Sequence, residues 1–392
     1  MGQTLEEIAQ QLHAANKKVQ LIYAFNGTGK TRLSRVMKNE IAPKNPEDDE
    51  PVPARRKFLY YSAFTEDLFV WDNDTEGDED RKIRIQPNTF IDWILRDRGQ
   101  ELNIINNFQH YTSRSITPSF PPETVVREFE GRRTNVLTFP EIRFAYTGGD
   151  NIENNVKISK GEENNLIWSV FYTLLQEVIA LRKEPDPSQR DDNEYDDLEY
   201  VFIDDPVSSL DENHLIELAI DLAGLISSSR FENGDGVRYV VTTHNPLFFN
   251  VLCKELSGAA RYLLKRNVAG QFLLEPKNGA ANKSFSYHHH LISILRDAID
   301  QDGVQKYHFN LLRNLYEKTA NFLGYEHWTK LLSTAPEGRA DYLKKLTNHY
   351  SHRELAFEEV ADPTEKQKED VAVLLDNLIN NYGYWQQDEQ NG

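Results

Sequence analysis

The segment Ala24-Phe-Asn-Gly-Thr-Gly-Lys-Thr31 constrains this chain most. It follows the apolar run Val19-Gln-Leu-Ile-Tyr-Ala-Phe25 and opens a helical pattern from Lys30 to Met37. A buried strand that ends in a glycine turn and continues as a helix is the opening unit of a parallel α/β sheet. Small residues let backbone N–H groups approach phosphate oxygens, and the helix N-terminus adds a favourable field. Asn26, Gly27, Thr28 and Gly29 are then the cradle. Lys30 reaches the β- and γ-phosphates, and the Thr31 hydroxyl holds Mg²⁺. Ala24 stands where the usual pattern begins with glycine.

Two further segments extend this reading. Tyr200-Val-Phe-Ile is an apolar run that ends in Asp204-Asp205, followed by Pro206-Val-Ser-Ser-Leu-Asp211. Two acids after four apolar residues suit a strand end that holds Mg²⁺. Asp204 is expected to bind the metal through water, and Asp205 to polarise the attacking water. A strand end followed by a helix cap is the plainer reading of the same residues. Val240-Val-Thr-Thr-His244 is a third strand, ending in a polar turn with one histidine.

Taken in order, these elements resemble the ATP-binding-cassette ATPases. The resemblance implies that His244 contacts the γ-phosphate, that Asp211 lies at a dimer interface, and that two protomers sandwich two nucleotides. The signature segment is then Ile158-Ser-Lys-Gly-Glu162, just before a very apolar helix, Asn164–Leu181. It differs from the usual Leu-Ser-Gly-Gly-Gln at three positions. It keeps Ser159 and Gly161 for a phosphate contact across the dimer.

Length and composition bound the rest. The 392 residues allow two domains, and 39% hydrophobic content supports a substantial core. No run of 18 apolar residues suggests a membrane span, and the polar N-terminus lacks the apolar centre of a secretion signal. The chain is therefore expected to start as written and to stay in the cytoplasm. Gly2 is a weak myristoylation cue that the next residues do not support. Cys253 is the one cysteine, so no internal disulfide is possible, and its apolar neighbours Val251 and Leu252 suggest core. A net charge of −18 argues against a broad nucleic-acid surface and leaves room for a small basic site. The acidic runs at 47–50, 72–80 and 186–199 read as solvated loops.

Near residue 265 the pattern becomes mainly helical and rich in histidine. Two domains are expected: 1–265, an α/β ABC-type P-loop ATPase, and 266–392, mainly α-helical. In the second, Leu311, Leu312, Leu315, Tyr316, Thr319, Phe322 and Leu323 define one apolar helix face, with Arg313 and Glu317 beside it. Such a pair, four residues apart, is by default a surface ion pair worth roughly 0.3–0.5 kcal/mol. Further on, Asn348 and His352 share a helical face, with His349 and Ser351 nearby. His288, His289 and His290 open a metal reading, but their spacing is not distinctive. An Arg, a Glu and a His can also cut RNA without metal. The imidazole moves the 2′-hydroxyl proton, and the guanidinium neutralises charge on the phosphate.

At these residues the chain resembles the bacterial PrrC anticodon nucleases over nearly its full length. The supporting segments include 20–31, 157–163, 203–211, Asn282-Lys-Ser-Phe-Ser-Tyr287, Arg313-Asn-Leu-Tyr-Glu-Lys-Thr-Ala320 and Tyr382-Gly-Tyr-Trp-Gln-Gln387. Tyr61–Asp74 resembles a box peculiar to that family and linked there to nucleotide recognition. The resemblance implies an HEPN-like nuclease domain whose catalytic residues are Arg313, Glu317 and His352, with His349 the alternative histidine. It implies RNA contacts at Lys283, Ser284 and Tyr287. It further implies metal-independent cleavage of a tRNA anticodon loop beside the wobble base, leaving a 2′,3′-cyclic phosphate and a 5′-hydroxyl. The resemblance also implies that ATP or GTP with Mg²⁺ gates the nuclease, that a type I restriction–modification complex keeps it latent, and that a phage peptide releases it in antiphage defence. Lysine tRNA is the expected substrate, though the segment 277–283 that reads it departs near Ala280. Two other readings stay open: a DNA-repair ATPase, disfavoured by the lack of heptads in 84–157, and an ATPase subunit that switches a partner effector.

Overall fold

The computed structural model describes residues 2–43, 57–62, 68–72, 80–129, 132–148, 151–207, 212–232, 234–267, 270–277, 287–335 and 363–384. The chain divides into two compact units, Met1–Lys283 and Ser284–Gly392.

The first unit is built on a six-stranded sheet in the order Phe272–Pro276, Ala260–Arg266, Val19–Ala24, Arg238–Thr243, Tyr200–Asp204, Phe58–Ser62. The last five of these strands run parallel, and Phe272–Pro276 is an antiparallel edge. Leu21, Ile22, Tyr23, Val201, Phe202, Ile203 and Val240 are all buried. That explains their unbroken apolar runs: a parallel strand covered on both faces has no solvent side to alternate toward. Helix Leu5–Ala14 starts at a reciprocal Thr4–Glu7 cap and buries Leu5, Ile8, Ala9 and Leu12 on its inner face. Helix Lys30–Ile41 buries Leu33, Met37 and Ile41 at the same helical spacing, in one cluster with Leu5 and Leu12.

The sequence reading ended this domain at 265, but strands 260–266 and 272–276 complete its sheet. Their side chains are only partly covered, which weakens the strand signal in the sequence. The stretch 83–144, whose order the sequence leaves open, forms an antiparallel sheet of strands Phe69–Asp72, Lys82–Ile85, Glu141–Gly148 and Ile116–Ser119. Strand Asn151–Asn154 pairs with Glu141–Gly148, and Glu123–Phe129 and Arg132–Thr138 form a separate hairpin. Helix Lys160–Leu181 runs through the unit with Asn164 to Leu175 buried without a break.

The described part of the second unit is helical. Helices Tyr287–Asp300, Lys306–Leu323 and Glu365–Asn381 and the 3₁₀ turn Trp328–Thr334 bury Leu291, Leu295, Phe309, Leu315, Leu331 and Leu374. Tyr316, fully buried, donates its hydroxyl to the Leu374 carbonyl. The apolar face expected on Lys306–Leu323 is narrower than its sequence suggests. Leu312, Leu315, Tyr316 and Thr319 are buried, whereas Phe322 is 85% exposed and Leu323 44%. The helix ends there at Gly324, with φ 79°, and its last turn runs past the core. Among the described residues no helix is long and apolar enough to cross a membrane.

Candidate functional sites

In a parallel sheet the carboxyl ends of the strands share one edge, and ligands gather there. Strands Val19–Ala24, Arg238–Thr243, Tyr200–Asp204 and Phe58–Ser62 bring Ala24, Thr243, Asp204 and Ser62 to that edge, with Asp204 in register with both Thr242 and Ser62. The sequence elements found far apart therefore meet.

The loop after Ala24 turns on two glycines with left-handed backbone, Gly27 at φ 78° and Gly29 at φ 108°. A Cβ on Gly27 would meet nothing within 4 Å, which leaves its backbone open to an incoming group. At Gly29 a Cβ would press on the Phe272 ring at 3.1 Å. Lys30 is 8% exposed and folds back over the loop. Its ammonium donates to the Ala24 carbonyl at 3.2 Å and to Asn26 Oδ1 at 3.2 Å, and lies 3.4 Å from Asp205.

Asp204 is 2% exposed and accepts from three hydroxyls: Thr242 at 2.6 Å, Thr31 at 2.7 Å and Tyr60 at 3.2 Å. A carboxylate beside the Thr31 hydroxyl is an all-oxygen donor set that suits Mg²⁺. Burial and the Asp204 charge push the Tyr60 phenol up from its ordinary value, so it stays a donor. Asp205, also buried, sits in left-handed backbone at φ 52°, with its N–H donating to the Thr242 carbonyl at 2.9 Å. That conformation is uncommon for a residue with a Cβ, and aspartate is among those that tolerate it. It turns the carboxylate toward Lys30, the Thr243 hydroxyl at 3.2 Å and His244 Nδ1. Burial drives the Asp205 carboxyl up, but His244 and then Lys30 outweigh it, and the net shift is down.

The signature segment forms the start of helix Lys160–Leu181. Ser159 caps it, accepting the Glu162 N–H at 3.3 Å, while Glu162 accepts the Ser159 N–H at 2.6 Å. Gly161 lies in the first turn. Asp211 lies outside the described residues.

In the second unit Arg313 and Glu317 meet on one helix. Arg313 Nε donates to Glu317 Oε1 at 2.7 Å, with the side chains 21% and 41% exposed. The Trp328 ring lies against the guanidinium, its centroid 6.0 Å from Cζ. Trp328 in turn meets the Tyr316 ring edge-on at 6.0 Å. Lys283, Ser284, His349 and His352 lie outside the described residues. Tyr287 begins helix Tyr287–Asp300, but its side chain is not among those described.

Sequence reasoning missed Tyr60, Thr242 and Trp328. The first two are ordinary members of apolar strands, and only the sheet order shows that they face Asp204. Trp328 follows a turn whose return onto Arg313 has no local signal.

No family model matches the chain. The chain is similar to the head domain of an SMC protein bound to the C-terminal winged-helix domain of ScpA (11% identity, 67% of this chain and 91% of that one, TM-score 0.31). It is also similar to the SMC head domain from Thermotoga maritima (15% identity, the same coverage, TM-score 0.26). Scores this low carry no argument. The sequence comparison is of another order: an anticodon nuclease of Escherichia coli is 47% identical over 418 aligned positions that span all of both chains. At that identity over the full length of each, the chain belongs to the anticodon nuclease family.

Proposed function

We propose that this protein is a tRNA anticodon endoribonuclease whose nuclease unit is gated by a nucleotide bound to the first unit. The full-length identity to an anticodon nuclease carries the reading. The Arg313–Glu317 pair supports it from the side of chemistry. In this scheme His352 takes the proton of the ribose 2′-hydroxyl. The 2′-oxygen attacks the adjacent phosphorus, and the P–O5′ bond breaks as the leaving oxygen takes a proton from water. The products are a 2′,3′-cyclic phosphate and a 5′-hydroxyl. Arg313 neutralises charge on the phosphate, and Glu317 holds Arg313 through Nε. The nucleophile is internal to the substrate, so the three side chains suffice without a metal. His349 is the alternative base, and Lys283, Ser284 and Tyr287 are the RNA contacts. The fold of the second unit, Ser284–Gly392, in this reading is HEPN-like, and lysine tRNA is the substrate to try first.

The first unit binds ATP or GTP with Mg²⁺. Lys30, now turned onto Ala24 and Asp205, swings to the β- and γ-phosphates. Thr31 and Asp204 would hold the metal, which would offset the negative charge of the phosphates. His244 has Nδ1 committed to Asp205, which leaves Nε2 for the γ-phosphate. Asp205 then orients His244 in addition to positioning water. Ser159, Gly161 and Asp211 complete the site across a homodimer. A type I restriction–modification complex that silences the protein and a phage peptide that frees it fit a cytoplasmic antiphage toxin.

The test is induced expression of the wild type, Arg313→Ala and His352→Ala, with total tRNA sequenced for new 5′-hydroxyl ends. Breaks within one anticodon loop from the wild type alone support the reading and name the substrate. Equal breakage by all three chains would overturn the site assignment.

A further inference from the structure

Trp71 and the start of helix Lys160–Leu181 are far apart in sequence, yet one hydrogen bond joins them. The Trp71 indole N–H donates to Glu163 Oε2 at 2.8 Å. The other oxygen of Glu163 accepts from the Lys160 ammonium at 2.9 Å. Glu163 is 5% exposed, so its carboxylate is all but withdrawn from water. A buried carboxylate needs its partners, and losing one leaves desolvation uncompensated. Trp71 itself is fixed. It lies in strand Phe69–Asp72, and its ring packs against Phe144 of strand Glu141–Gly148 with centroids 6.1 Å apart. The small antiparallel sheet is thus pinned to the first helical turn that carries Ser159, Lys160 and Gly161.

We infer that Trp71 is a positioning residue: through Glu163 it sets the Ser159–Gly161 turn for its contact with nucleotide held by a second copy of this chain. The inference rests on the nucleotide reading above and deepens it. Glu163 stands one turn behind Ser159 and shares the Lys160 side chain with that turn. Displacing its carboxylate therefore moves the signature rather than the Lys30 loop. Trp71 touches Glu163 and Phe144, so it acts at one remove from the nucleotide. Its effect falls on the step that needs two protomers.

Trp71→Phe in the full-length protein tests this, because it keeps the ring on Phe144 and deletes only the N–H. Three quantities are read: affinity for ATP and GTP with Mg²⁺ at a protomer concentration that holds the chain monomeric, nucleotide-dependent self-association, and the turnover rate of hydrolysis. The expected result is an affinity within about twofold of wild type, with association and turnover each reduced about ten- to a hundredfold, as suits one hydrogen bond to a charged group. Glu163→Gln keeps an acceptor for the indole and is expected to fall between the two. Wild-type association and turnover in Trp71→Phe would overturn the inference. So would a loss of monomer affinity as large as the loss of turnover, since Trp71 would then act on the nucleotide of its own protomer. Lys30→Ala is the separate control. If it binds nucleotide as the wild type does, the nucleotide site itself has been misplaced, whatever Trp71 does.

Discussion

The two candidate sites hold similar ion pairs in opposite surroundings. Lys30 and Asp205 lie at the edge of a buried sheet, with side chains 8% and 5% exposed. Arg313 and Glu317 lie on one helix, 21% and 41% exposed. The first pair is held by three chain segments; the two members of the second come from one helical turn, with Trp328 laid against it. A charge removed from water must be compensated on every side, so Asp205 is held by Lys30, Thr243 and His244 together. An exposed pair is screened by solvent and costs little to make or break. The Lys30–Asp205 cluster is therefore part of the stability of its unit. The Arg313–Glu317 pair is nearly free of that burden, and its importance would lie in chemistry alone.

Four outcomes would break or sharpen this contrast. The largest concerns Arg313. Arg313→Ala is expected to lower RNA cleavage by about a thousandfold, the scale for removing a group that stabilises transition-state charge. Its thermal unfolding should stay close to wild type. A cleavage assay on an anticodon stem-loop beside a melting curve checks both. A large drop in melting temperature would make the pair structural after all.

Next is the stability of the buried pair. Asp205→Ala leaves Lys30 without its carboxylate and should destabilise the first unit by about 3–5 kcal/mol. Glu317→Ala should destabilise the second unit by no more than about 1 kcal/mol. Urea unfolding of the two variants measures the gap, and equal losses would erase the comparison. The Asp205 carboxyl is held below its ordinary value of 3.8. Its contribution is whole above that pH and is lost as pH falls through the lower folded value.

His308 gives the second unit its own pH dependence. It is 3% exposed, its Nδ1 accepts the Gln305 N–H at 2.8 Å, and burial lowers it from 6.5 to about 4. The unfolded chain takes up a proton below pH 6.5 and the folded chain only near 4. Stability should therefore fall as pH drops from 6.5 to 4 and change no further from this source below that. The full loss is about 3 kcal/mol, at 1.36 kcal/mol per unit. His308→Gln should flatten that part of the stability–pH curve, and an unchanged slope would assign it elsewhere.

The smallest effect is expected at Trp328. A ring over a partly exposed guanidinium is worth about 0.5–1 kcal/mol. Trp328→Leu should lower the turnover rate of cleavage by about two- to fivefold with little change in KM. A change in KM alone would point instead to a contact with RNA.

What could be read from the chain follows from range. The loop Ala24–Thr31, the strand ending at Asp204-Asp205 and the helix after Ser159 are local patterns. Each is set by burial periodicity, glycine or a cap, and each forms where its residues imply. The Arg313–Glu317 contact is equally local, since four residues make one helical turn. The domain edge was harder, because strands 260–266 and 272–276 lie at the rim of the sheet with half-covered side chains. The small sheet of 69–154 was illegible for a different reason: its strands run to eight residues at most and pair across long insertions.

The sequence by itself determined the chemical groups: a glycine loop ending in Lys30-Thr31, two acids at a strand end, a histidine at another, and an arginine–glutamate turn. Tertiary structure alone decided their partners. Strand order placed Thr242 and Tyr60 on Asp204, a left-handed turn aimed Asp205 at Lys30 and His244, and the small sheet brought Trp71 to Glu163. Periodicity and capping act over a few residues and are written in the chain. The pairing of strands and the satisfaction of buried charge act across the whole sheet, and only the folded core settles them.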